Sequence, residues 1–189
     1  MKKAKKTICI IGGRGVMGGF FADVLKHDFE IEIIDRDNAD ALAGALEKAE
    51  IVIISVPLPV TNDVVKDLCD KVTSRHMIVN FASIMGPSLE VMKKVPCESV
   101  FVHPLFAPSK PDIKNLKFVV ASINKGEQLH LITDFLRRNG GVVSEMRANE
   151  HDRLMATIQA LTHLVNFLLA ETIGSSRIAP EKLKENATA

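Results

Sequence analysis

The chain has 189 residues, 47% of them hydrophobic, and a formal net charge of +1. That is enough apolar content for one sizeable domain, or a domain with an appendage. The near-neutral balance excludes the charge footprint of a nucleic-acid binder, and the basic run Lys2, Lys3, Lys5 and Lys6 has no interleaved aromatic residues. No apolar stretch approaches a membrane span and no signal-peptide pattern appears. Cys9, Cys69 and Cys97 form neither a metal-ligand spacing nor a redox pair. A cytoplasmic protein with no metal and no nucleic-acid or membrane partner is expected.

The first predicted strand, 7–11, runs directly into a glycine turn. Gly13, Gly15 and Gly18 have the Gly-x-Gly-x-x-Gly spacing, and the second strand, 30–34, ends at Asp35, twenty positions after Gly15. Strand, glycine turn, helix and distant acid together form the dinucleotide-binding fingerprint. In that reading Gly13 permits the tight turn, Gly15 lets the backbone approach a pyrophosphate, and Gly18 lets the next helix, 16–27, pack close. The helix start, with Arg14, Val16 and Met17 around it, then faces the phosphates with unpaired amides. Asp35 would accept from the ribose hydroxyls and repel a 2′-phosphate, which favours NAD over NADP. Arg36 is the neighbouring guanidinium that opposes this preference.

Further strands are expected at 51–55, 77–81, 99–102, 118–122 and 142–145, with amphipathic segments between most of them. Asn38 and Thr61 read as helix N-caps. Pro87 begins a helix, and Asn139-Gly140 ends the one containing Leu129 and Phe135. The alternation predicts an α/β fold: a doubly wound, Rossmann-type, mainly parallel sheet covered on both faces. Residues 149–173 contain no proline or glycine and read as one long helix that begins an all-α domain. Its apolar surface, including Leu161, Leu164, Phe167 and Leu168, is too broad for one sheet face to cover. Expected boundaries are 1–147 for the cofactor domain and 148–189 for the truncated start of a helical dimerisation or substrate domain.

Ligands in such sheets sit beyond the carboxyl ends of the strands. Three ends carry unusual residues: Ser55-Val56-Pro57-Leu58-Pro59, Ala82-Ser83-Ile84, and His103-Pro104-Leu105-Phe106. Val56 would press on a nucleotide ring. An imidazole at position 103 can take a proton during alcohol oxidation, so turnover should decline as pH falls through the ordinary histidine range, near ~6.5. The histidines at 27, 76 and 130 read as surface residues.

Together these stretches resemble prephenate dehydrogenases, particularly the form fused to chorismate mutase. The resemblance runs from the turn at 12–18 through Ser55-Val56-Pro57-Leu58 with Thr61, Ala82-Ser83-Ile84 and His103-Pro104-Leu105-Phe106. It continues through Glu150-His151-Asp152 to Ile158-Gln159-Ala160-Leu161-Thr162-His163, in the family's order, over residues 7–171. It implies NAD-dependent oxidative decarboxylation of prephenate to 4-hydroxyphenylpyruvate, a step towards tyrosine. The histidine matching His103 is then catalytic, and Ser83 matches the serine that orients it. Gln159 and His163, four apart on one helix face, match residues that close the substrate pocket. His151 and Asp152 also match, although a helix-start role accounts for them. The chain departs from the family at Asn80, Met85 and Ala107. It ends before the region carrying the family's carboxylate-binding arginine, and Arg177 does not match that residue. Arogenate as substrate, or a non-catalytic NAD-binding module, stand as alternatives. A homodimer through the last helix is expected.

Overall fold

The computed structural model describes residues 5–109, 111–126, 128–176, 178–179, 181–182 and 185. Arg177, Lys2 and Lys3 lie outside them. The chain divides into two units, Met1–His151 and Asp152–Ala189.

The first unit carries strands β1 (Thr7–Ile11), β2 (Glu30–Ile34), β3 (Ile51–Ile54), β4 (Met77–Phe81), β5 (Glu98–Pro104), β6 (Lys117–Asn124) and β7 (Val142–Glu145). They form one sheet in the order β2-β1-β3-β4-β5-β6-β7. Every neighbouring pair is parallel except β5 with β6, which is antiparallel. The helices are α1 (Val16–Leu25), α2 (Leu42–Lys48), α3 (Leu58–Cys69), α4 (Gly86–Met92), α5 (Leu129–Arg138) and α6 (Ala148–Ser175), whose first turn lies in this unit.

Alternate side chains of a strand point to opposite faces, and a sheet covered on both faces needs apolar residues in both registers. Ile8 and Ile10 of β1, Ile51 and Ile53 of β3, and Val100 and Val102 of β5 pack with Phe21 and Leu25 of α1 and Phe135 and Leu136 of α5. The intervening residues Cys9, Ile11, Val52, Ile54 and Phe101 pack on the other side with Ala45, Leu46, Val65, Leu68 and Met92 of α2, α3 and α4. The first face is rich in phenylalanine: Phe21 meets Phe20, Phe81 and Phe118, and Phe106 meets Phe20 and Phe118. These edge-on and tilted contacts suit the ring quadrupoles.

Several local expectations require correction. Asn38 does not cap α2. Asp35 precedes a short 3-10 turn, Arg36–Ala41, and Asn38 reaches back to it, accepting from the Asp35 amide at 2.7 Å and donating to the Ile33 carbonyl at 2.9 Å. Thr61 lies inside α3, whose N-cap is Pro57, and its buried hydroxyl donates to the Pro57 carbonyl at 3.2 Å. His76 is buried, not superficial. Its Nδ1 accepts from the Thr73 amide at 2.9 Å, so Nε2 carries the proton and donates to the Leu46 carbonyl at 3.1 Å. One local partner and one thirty positions away outweigh the usual surface preference of histidine.

Burial pushes the Cys9 thiol up to about 12, helped by the nearby Glu32 charge, and the Cys97 thiol up to about 11. A group whose folded pKa lies above its unfolded value stabilises the fold below the unfolded pKa and loses that contribution as pH rises. Urea midpoints should therefore fall between about pH 9 and 12. Cys9→Ala, though less stable at neutral pH, should show a shallower alkaline decline; an unchanged slope would contradict the assignment.

In the second unit, α6 is longer than the expected 149–173 segment. Contrary to the sequence expectation, it is long and apolar enough to cross a membrane, with a mean hydropathy of 1.3 over its most apolar 18 residues. Gln159, Thr162, His163 and Asn166 interrupt the apolar run, which hides this property from a search for unbroken stretches.

Candidate functional site

From β1 the chain turns to β2 on one side and then crosses to β3 on the other. This reversal between β1 and β3 is the switch point where open α/β sheets form their ligand crevice. A cleft of about 520 Å³ opens there, lined among others by Gly12, Gly15, Asp35, Ser55, Val56 and Pro57. Its apolar part is supplied by Ile11, Ile34, Leu42, Val60, Val64 and Leu68.

The glycine turn is built differently from the sequence expectation. The left-handed residue is Gly12, with φ +82°, and not Gly13. A Cβ on Gly12 would fall within 3.0 Å of the Ser55 carbonyl, closer than real Cβ atoms approach; one on Gly18 would do the same to the Gly12 carbonyl. Gly13 is restricted by Ile33, whose Cγ2 would lie 2.8 Å from an added Cβ. Gly15 is different. An added Cβ there would meet only the Gly12 carbonyl, at 3.2 Å.

Gly15 is the N-cap of α1. The amides of Val16, Met17 and Gly18 precede the first i→i−4 bond, from the Gly19 amide to the Gly15 carbonyl at 2.8 Å. No acidic side chain occupies that first turn. The half-buried Asp35 carboxylate is tied to the turn through Oδ2, which accepts from the Arg14 amide at 2.8 Å. The exposed Arg14 guanidinium pairs with Asp37. Thus Gly15, Asp35, Ser55, Val56 and Pro57 line the cleft, whereas Gly13, Arg14, Val16, Met17 and Gly18 belong to the turn and the start of α1 and do not line it.

His103 and Ser83 do not line this cleft. Ser83 is exposed, two residues past β4, the strand paired with β5. His103 is the penultimate residue of β5, paired with Val119, and only 5% exposed. Its Nδ1 lies 2.8 Å from Nε2 of His151, which is fully buried in the first turn of α6. The two rings are near-perpendicular, with centroids 5.0 Å apart. This partnership was missed at the sequence level, where His151 read as a helix-start residue. The 48 positions between the two histidines leave no local signal for their pairing. Gln159, half-buried, and His163, exposed, lie one turn apart on α6 in the second unit.

Mainly parallel sheet, glycine turn and switch-point cleft define a nucleotide-binding domain of the Rossmann type. The sequence profile described as "Prephenate dehydrogenase, nucleotide-binding domain" matches residues 22–145, and the chain belongs to the prephenate dehydrogenase family. A probable arogenate/prephenate dehydrogenase of Methanocaldococcus jannaschii is 30% identical over 194 residues, covering 92% of this chain and 44% of that protein. The T-protein of Haemophilus influenzae is 28% identical, covering 85% of this chain and 43% of its own length. The chain therefore spans somewhat under half of these curated relatives. Among solved structures, the prephenate dehydrogenase of Aquifex aeolicus bound to hydroxyphenyl propionate and NAD+ has a TM-score of 0.70 at 20% identity, covering 96% of this chain and 73% of that one. Synechocystis arogenate dehydrogenase has a TM-score of 0.72 at 15% identity, covering 97% and 75%. At these identities the likeness is one of fold.

Proposed function

We propose that this chain supplies the cofactor half and the proton-accepting histidine of an NAD-dependent prephenate dehydrogenase. The observation that carries this is the cleft at the β1/β3 switch point in a chain of this family, where a backbone too tight for any Cβ at Gly12 meets Asp35 and Ser55-Val56-Pro57.

These residues fit a dinucleotide. The open side of Gly15 admits a pyrophosphate, and the amides of Val16, Met17 and Gly18 donate to it, with Gly13 and Arg14 holding the turn. Asp35, anchored through Oδ2, offers Oδ1 to the ribose hydroxyls and repels a 2′-phosphate, so NADP is the poorer ligand. The apolar walls take the adenine, and Ser55, Val56 and Pro57 border the path towards the reacting end.

NAD, when bound, supplies the hydride acceptor. His103 takes the proton of the ring hydroxyl as that carbinol carbon is oxidised, and Ser83 orients the histidine. The new ketone accepts the electron pair released as the ring carboxylate leaves as CO2, and the ring becomes aromatic. The balance is prephenate plus NAD+ to 4-hydroxyphenylpyruvate, CO2 and NADH. Gln159 and His163 contact the substrate. We assign residues 1–147 to the cofactor domain and 148–189 to a helical region. That helix exposes Leu161, Phe167 and Leu168 by 58%, 66% and 54%, and a second copy of the chain covers it, in the cytoplasm.

NADH absorbance with prephenate and NAD is the test, repeated with NADP and with arogenate. Turnover with prephenate and NAD supports the full reading, and a preference for arogenate moves the substrate. NAD binding without turnover reduces the chain to a cofactor module, and no binding removes the reading. Light scattering should give a dimer mass; a monodisperse monomer would contradict the interface. Asp35→Asn should weaken NAD binding about 10- to 100-fold, the range of a charge-assisted hydrogen bond.

A further inference from the structure

His103 and His151 are both buried and joined Nδ1 to Nε2 at 2.8 Å. A neutral imidazole carries one N–H and one lone pair, so two arrangements satisfy this bond. In one, His151 Nε2 donates to His103 Nδ1, which places the His103 proton on Nε2 and makes that atom a donor. In the other, His103 Nδ1 donates to the His151 Nε2 lone pair, and His103 Nε2 is an acceptor. Only the second leaves His103 Nε2 with the lone pair needed to take a proton.

We propose that His151 is a positioning residue: its Nε2 accepts from His103 and locks His103 in the Nδ1–H tautomer, with Nε2 as the base. This rests on the assignment of His103 as proton acceptor. The role parallels that of the carboxylate behind a catalytic histidine, with a neutral acceptor in place of a charged one. When His103 Nε2 takes the proton, the Nδ1–H bond to His151 becomes charge-assisted and shortens. No proton leaves the pair, and the positive charge stays on His103. A buried ring-to-ring bond fixes orientation as well as tautomer. The N–H vector of His103 points along the 2.8 Å contact, so rotation about its side-chain bonds would break the bond inside the protein, where an unpaired polar group is costly.

The experiment is a long-range 15N–1H correlation spectrum of the 189-residue protein above pH 8, with His103→Asn and His151→Gln used to assign the signals. His103 should show a protonated Nδ1 and an unprotonated Nε2. In His151→Leu these two resonances should exchange character, because a free imidazole side chain prefers the Nε2–H form. In His151→Gln, whose Oε1 occupies the acceptor position, the Nδ1–H form should return. An unprotonated Nδ1 on His103 in the wild-type spectrum overturns the proposal, and that measurement stands even if His151→Leu fails to fold. The two failures separate cleanly. The wrong tautomer sinks the role of His151, whereas the right tautomer with undiminished turnover in His103→Asn sinks the role of His103.

Discussion

His103→Asn should lower turnover with prephenate about 10²- to 10⁴-fold, the usual contribution of a positioned proton acceptor, while shifting the melting temperature little. The geometry separates these effects. An asparagine amide occupies the space of the imidazole Nδ1 edge, so it can still reach His151 Nε2, 2.8 Å from the atom it replaces. The distal Nε2, the only ring nitrogen not committed to that bond, has no counterpart in asparagine. KM should change less than kcat, since the lost interaction develops as the hydroxyl proton is transferred. His103→Leu is the contrasting variant. It deletes both nitrogens and leaves a buried His151 without its ring partner, so it should lose about 1–3 kcal/mol of stability as well as activity. Steady-state rates and thermal melts for both variants decide the matter. Equal turnover in His103→Asn and wild type would remove the histidine from the mechanism.

The features legible in the sequence are those written in local periodicity. Strands β1, β2, β4 and β7 have the expected limits, because short runs rich in β-branched residues stand out from the segments around them. The core strand β5 extends over Glu98–Pro104 rather than 99–102. Its carboxyl end is set by the pairing of Pro104 with Phe118 of β6 and its amino end by that of Glu98 with Met77 of β4, and long-range pairing is invisible to a local window. The same reason hides the His103–His151 bond. At the glycine turn, spacing alone cannot tell which glycine adopts the left-handed conformation when two stand side by side, as Gly12 and Gly13 do. The helix caps misread for a related reason. Asn38 and Thr61 are good capping types, yet Asn38 reaches back to the Asp35 amide and Thr61 is buried one turn inside α3. Asn80, fully buried in β4, has no hydrogen-bond partner for its amide among the described residues. Nothing in its sequence surroundings anticipates that.

Gly12, Gly15 and Gly18 should separate fold from ligand binding when each is changed to alanine. At Gly12 the backbone has φ +82°, and a Cβ would also collide with the Ser55 carbonyl. Left-handed strain on a non-glycine residue and overpacking each cost about 1–3 kcal/mol. Gly12→Ala should therefore lower the melting temperature by roughly 5–15 °C, given about 2–4 °C per kcal/mol at this chain length. Gly18→Ala has ordinary helical backbone but pushes against the Gly12 carbonyl, which forces α1 away from the turn; its loss should be of similar sign and smaller. Gly15→Ala should leave the melting temperature within about 2 °C, since the backbone there is extended at φ −68° and ψ 165° and an added methyl meets one atom at 3.2 Å. That methyl nevertheless projects at the helix start, where a pyrophosphate must approach the first-turn amides. NAD affinity in Gly15→Ala should drop tenfold or more, about 1.4 kcal/mol. Calorimetric titration with NAD alongside the melts tests both halves. Full-strength binding by a stable Gly15→Ala would mean that the phosphates do not sit on the turn, and with it would go the cofactor assignment of the cleft.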